Sequence, residues 1–161
     1  MNQQPDLTQA DADKATADLM AECVNDPLRH VLASYPWGEV GTPLENWSGP
    51  DPWQRDFLIE LGEQVTANAF DGFTAVPPIQ FSTSSGHGIG KSCLSAWIII
   101  WIRDTRPQSM GVITANTAEQ LRSKTFQELS RWHDLSLTKH WFQLNAGSAG
   151  SANCRIMSRT S

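Results

Sequence analysis

IQFSTSSGHGIGKSCLSAWIIIWI, residues Ile79–Ile102, sets three kinds of sequence end to end. Ile79–Thr83 is short and has strand character. Ser84–Gly90 is built of glycine and serine around His87 and Ile89. From Lys91 to about Asp104, Leu94, Trp97, Ile98, Trp101 and Ile102 recur at i, i+3, i+4, i+7 and i+8, the spacing of an amphipathic helix. Ile99 and Ile100 widen that stripe, so the helix is expected to be buried on most sides, and Pro107 ends it.

Within this stretch, Ser85-Gly86-His87-Gly88-Ile89-Gly90-Lys91-Ser92 follows the phosphate-loop pattern G-x-x-x-x-G-K-[ST] at its last three positions. Ser85 replaces the first glycine of the pattern, and Gly86 follows it. Glycines let backbone N–H groups turn inward around a phosphate without a Cβ in the way. The helix that follows adds the positive end of its dipole. In that arrangement Ser85, Gly86, His87, Gly88, Ile89 and Gly90 wrap the nucleotide phosphates. Lys91 reaches the β- and γ-phosphates as the catalytic cation, and Ser92 ligates Mg²⁺ through its hydroxyl. ATP and Mg are therefore the expected cofactors. The plain alternative is a glycine-serine turn with a surface lysine. His87 reads as a loop residue near the phosphates and not as a general base.

Upstream, Asp51 is a good N-cap, Pro52 suits the first helical position and Gln54 falls at the capping-box position. Trp53, Phe57, Leu58, Leu61 and Val65 then form one apolar stripe, in a helix that fades near Ala67–Asn68. Trp53 and Gln54 form a second candidate site. A flat ring can stack on a purine, and a primary amide can both donate to and accept from adenine. Core burial of Trp53 and a capping role for Gln54 are the plainer readings. Residues 35–52 hold four prolines and three glycines, and read as an extended arm lying on the domain through Trp37, Leu44 and Trp47. Residues 1–34 read as a flexible or helical acidic segment, with a short helix around Pro27.

Downstream, Met110–Thr114 reads as a second strand. Thr117 opens a helix whose inner face is Leu121, Thr125, Leu129 and Trp132. Asn116 and Thr117 are placed where parallel sheets bind ligands, with a helix cap as the plainer role. Trp141–Leu144 has strand character, and residues 145–161 show no clear element. Strand, loop, helix, strand, helix predicts an α/β fold, an incomplete P-loop NTPase with a parallel sheet and flanking helices behind a flexible acidic N-terminal segment.

The chain has 161 residues, enough for one domain with a core. Residues 1–85 carry three basic and thirteen acidic side chains, net −10, and residues 86–161 nine basic and four acidic, net +5. A basic second half is compatible with phosphate or nucleic-acid contact, as is ordinary surface variation. Three cysteines, Cys23, Cys93 and Cys154, argue against a disulfide framework and suit a reducing, cytoplasmic setting. His133, His140 and Cys154 match no zinc spacing. The polar, acidic start is unlike a signal peptide, and no apolar run is long enough for a membrane span.

Four segments in order, GPDPWQRDFLIELGEQV (Gly49–Val65), SSGHGIGKS (Ser84–Ser92), WIIIW (Trp97–Trp101) and ITANTAEQLRSKTFQELSRW (Ile113–Trp132), resemble the opening of the large subunit of tailed-phage terminases. The resemblance runs from about Tyr35 to Phe142. It implies a domain over residues 35–161 corresponding to the N-terminal ATPase of a DNA-packaging motor, with residues 1–34 as a separate N-terminal segment. It also implies Trp53 and Gln54 as an adenine-recognising Q motif, and Ser85–Ser92 as the Walker A loop. The implied partners are double-stranded DNA, the terminase small subunit, the portal protein and further copies in a ring, with no membrane. Two features depart from the family. No run of four apolar residues is followed by Asp-Glu, so the Walker B carboxylates have no counterpart, and no acidic cluster suits a two-metal nuclease. The chain therefore reads as a truncated ATPase part that binds Mg-ATP without hydrolysing it. The alternatives are a non-catalytic remnant with Trp97 and Trp101 exposed, or another small P-loop nucleotide-binding protein.

Overall fold

A computed structural model of the chain describes residues 8–69, 73–83, 88, 90–114, 116–146 and 154–158. Its regular elements are mostly helices: α1 (Gln9–Glu22), α2 (Pro27–Ser34), α3 (Pro52–Ala67), α4 (Lys91–Thr105), a single turn α5 (Ala118–Gln120) and α6 (Gln127–Leu135). A π-helical stretch, Leu121–Phe126, joins α5 to α6, and a 3₁₀ turn, Lys139–Trp141, leads into strand β1 (Phe142–Ala146). Strand β2 (Cys154–Ser158) pairs with β1 antiparallel, Phe142 opposite Ser158 and Ala146 opposite Cys154.

The expected parallel sheet is overturned. Among the described residues, β1 and β2 make the only sheet, and it is antiparallel. Both expected parallel strands, Ile79–Thr83 and Met110–Thr114, are irregular. A parallel ladder needs hydrogen-bonded neighbours and cover on both faces. Here Met110 and Val112 stand 97% and 91% exposed, while Ile79 and Phe81 lie against the helical cluster of Leu61, Val65 and Trp101. The apolar run of residues 79–83 thus meets a helix surface in place of a neighbouring strand.

Helix α4 forms for the reason its spacing gives, but other helices cover it. Leu94, Ala96, Trp97, Ile100 and Trp101 are all buried, and Trp97 is only 2% exposed. The expectation that Trp97 and Trp101 stay open is therefore corrected. Trp97 packs edge-on against Trp132 of α6 at 4.9 Å between ring centroids and against Trp37 at 5.9 Å, with Tyr35 at 6.4 Å. Such edge-to-face pairs add to the burial of large apolar rings. Trp101 donates from Nε1 to the Cys23 carbonyl at 2.8 Å, tying α4 to the end of α1.

Helix α3 starts as its sequence dictates. Asp51 is the N-cap, Pro52 follows, and Gln54 Oε1 accepts from the Asp51 backbone N–H at 2.9 Å. Leu58, Leu61 and Val65 face inward. Gly62 is buried where a Cβ would lie 3.0 Å from the Asn25 carbonyl oxygen, so α3 approaches the α1–α2 turn closely. Of the arm at residues 35–52, Leu44 is buried and Trp37 donates to the Val31 carbonyl at 2.9 Å, but Trp47 is 55% exposed.

The N-terminal segment, expected to be flexible or helical, forms α1 and α2, the latter where a short helix around Pro27 was expected. Val31 and His30 of α2 are fully buried, and Val31 belongs to the main core. Asp26 caps α2 by accepting from the Arg29 backbone N–H at 2.8 Å. In the helix expected to open at Thr117, Leu129 and Trp132 are buried. Leu121 and Thr125 are only half-buried, because the π-helical stretch turns them off the inner face.

A buried polar network joins three helices. Asp104 of α4 accepts from His30 Nε2 at 2.9 Å, from Arg103 at 2.7 Å and from the Thr138 hydroxyl at 2.9 Å. Arg103 also reaches His133 Nδ1 and Thr138 Oγ1, each at 2.7 Å, and lies over the Phe142 ring at 4.2 Å. The Asp104 and His30 side chains are fully buried. Removing one partner of such a set leaves the others desolvated and unpaired. Asp104→Ala is expected to lower unfolding free energy by about 3–5 kcal/mol, whereas Asp56→Ala on the exposed face of α3 changes it little; denaturant titration of both variants checks this.

At the surface, Asp13 of α1 accepts from His140 Nε2 at 2.8 Å and from the Trp141 indole at 3.4 Å. The His140 hydrogen bond, then that of Gln9, holds the Asp13 carboxyl below its ordinary value of 3.8. A carboxyl lowered on folding stabilises the contact above about pH 3.8, and the contribution is lost as pH falls through the lowered value. The Trp141 indole N–H resonance is expected to titrate in that acid window and to stop doing so in Asp13→Asn.

Candidate functional site

The end of the phosphate-loop candidate is set by one backbone choice. Gly90 adopts φ +86 and ψ +18, the left-handed region, and caps α4 directly before Lys91. Its carbonyl accepts the first helical bond from the Leu94 N–H at 3.0 Å. Lys91 and Ser92 are therefore the first two residues of a fifteen-residue helix, where backbone N–H groups lack partners within the helix. Lys91 is half-buried and Ser92 exposed. Gly88 also has φ +86 and open space around it. Ser85, Gly86, His87 and Ile89 lie outside the described residues.

The two sequence candidates are brought together. Gln54 Nε2 donates to the Gly90 carbonyl at 3.1 Å, so the capping-box residue of α3 touches the last glycine of the loop. A Cβ placed on Gly90 would fall 2.7 Å from Gln54 Nε2 and 4.0 Å from Trp53 Cζ2. Gln54 is 4% exposed, and Trp53 is half-buried against the main core. Both roles weighed for Gln54 from the sequence bear on one amide, and its capping bond is made.

Cys93 follows Ser92 on α4. Burial, more than the nearby Glu128 carboxylate, pushes its thiol up, so it stays protonated and serves as a small core group. Thr117 Oγ1 accepts from the Gln120 N–H at 3.1 Å and so caps α5, the plainer of its two roles. Asn116 is exposed beside it.

For Mg²⁺, the exposed Ser92 hydroxyl would be one hard oxygen donor. That fits an ion whose remaining ligands come from nucleotide phosphates and water. Among the described residues, no group of three or more His, Cys, Asp or Glu side chains is arranged to hold a metal by itself. A separate cleft of about 610 Å³ lies under the arm, lined by Trp47, Pro50, Asp51, Arg55 and Ile59 among others. Neither Gly90 nor Lys91 borders it. Among the described residues, no helix is long and apolar enough to cross a membrane.

The buried set around Asp104 is the feature that sequence reading missed. Asp104 and Arg103 fall at the end of the α4 stripe, where charges ordinarily mark the solvent-facing end of a helix. His30 and His133 are single histidines on other helices. No spacing rule links residues this far apart in the chain.

Gly90→Ala is expected to destabilise the fold by more than about 1–2 kcal/mol, the usual cost of a left-handed backbone at a residue with a Cβ, because that Cβ also displaces Gln54. Gly88→Ala meets only the backbone cost. Thermal unfolding of the two variants side by side checks the difference. Comparison of the chain with family models, curated proteins and solved structures finds no match.

Proposed function

We propose that this chain binds Mg-ATP through Ser85–Ser92, as the ATPase part of a phage terminase large subunit does. The observation that carries the reading is the left-handed Gly90 placed directly before Lys91 and Ser92 at the start of α4. A helix start with a glycine turn before it presents N–H groups and a dipole end to an anion. A lysine there adds a point charge for the β- and γ-phosphates, and Ser92 an oxygen for the metal. The reading rests on this loop-to-helix turn and on the ordered sequence segments; the strand expected before the loop, Ile79–Thr83, is irregular and lends it no support.

Chemistry beyond binding needs a carboxylate to orient water and another to hold Mg²⁺. The sequence has no apolar run ending in Asp-Glu to supply them. The chain therefore binds nucleotide without turning it over. On the same reading its partners are double-stranded DNA, the small subunit, the portal protein and further copies in a ring, and its setting is the bacterial cytoplasm.

Titration of the folded, ¹⁵N-labelled chain with Mg-ATP is expected to shift the amide signals of Gly88 and Gly90–Ser92. Lys91→Ala is expected to weaken binding about tenfold or more, on the order of 1.4 kcal/mol. Steady-state phosphate release should stay at background for both proteins. A folded chain whose loop signals ignore Mg-ATP would remove the reading, and turnover abolished by Lys91→Ala would remove its non-hydrolytic part.

A further inference from the structure

We propose that Gln54 is a positioning residue which ties the end of the loop to α3, and that nucleotide binding here does not discriminate between bases. The inference rests on the loop reading above and concerns its specificity. An amide that reads adenine must offer one donor and one acceptor to the base edge. In Gln54, Oε1 is engaged by the Asp51 N–H at 2.9 Å and Nε2 by the Gly90 carbonyl at 3.1 Å. The side chain is almost wholly buried, with a close approach to Gly90 that leaves no room for a Cβ.

The second N–H and lone pair of the amide are buried with it, so to read a base it would have to leave both partners and move outward, abandoning the cap of α3 and the tie to α4. Its present bonds do something else. The Gly90 carbonyl accepts from Leu94 within α4 and from Gln54 across the fold, so both its lone pairs are used. That fixes the first turn of α4, and with it the backbone positions of Lys91 and Ser92, relative to α3. Trp53 can stack on any base, since every base offers a π-face.

The test compares Mg-ATP, Mg-GTP and Mg-tripolyphosphate binding to the full chain, together with amide exchange at Leu94. Gln54→Glu keeps an acceptor for the Asp51 N–H but removes the donor to Gly90, and Gln54→Met removes both. Wild-type affinities for ATP and GTP are expected within about threefold of each other. Gln54→Glu should weaken all three ligands by one common factor and speed Leu94 exchange about fivefold, the worth of one ordinary hydrogen bond. An ATP preference of tenfold or more that vanishes in Gln54→Glu overturns the proposal. If no triphosphate binds the wild-type chain, the loop reading falls and takes the base clause with it. The tie is then judged by Leu94 alone, and unchanged exchange in folded Gln54→Glu, or in Gln54→Met should the first variant not fold, overturns it.

Discussion

Helix α4 is apolar around most of its circumference, and two indoles on it must be taken out of water. Trp97 is met by Trp132 at 4.9 Å and by Trp37 at 5.9 Å, while Trp101 sits with Leu61 and Val65 of α3. Burying a side chain of this size is worth several times an exposed ion pair. The placement of α2, α3, α6 and the proline-rich arm follows from that demand, because each contributes a surface to the same helix. The polar network around Asp104 then fixes how the elements meet. Rings can slide on one another, but a buried carboxylate with three donors accepts one arrangement only.

Helices were legible in the sequence because their signals are local. Asp51-Pro52 with Gln54 marked the start of α3, and the spacing of Leu94, Trp97, Ile98, Trp101 and Ile102 gave α4. Strand β1 at Phe142–Ala146 falls where Trp141–Leu144 had strand character. The parallel sheet was misread because a short apolar run records a wish for burial and not the kind of surface that provides it. Ile79 and Phe81 satisfy that wish on helices, and Met110 and Val112 remain exposed.

The candidate site was legible residue by residue but not in its connection. Gly90, Lys91 and Ser92 stood out as a motif, and Trp53 and Gln54 as a pair, separated by more than thirty positions. Nothing local in either segment says that one amide closes a capping box and holds the loop at once. The His30–Asp104–Arg103–His133 set was invisible for a related reason: its members look like solvated helix-end charges until the helices are assembled.

The π-helical stretch Leu121–Phe126 contains no buried residue and stands between α5 and the anchored face of α6. A π turn holds more residues than an α turn, so it stores surplus length of chain within a continuous rod. Loss of a single amino acid in this stretch can be met by tightening to α geometry, which takes up the surplus residue while Leu129 and Trp132 keep their seats. The fold therefore carries, next to its most demanding aromatic contact, a place where the chain can be shortened by one residue without disturbing that contact.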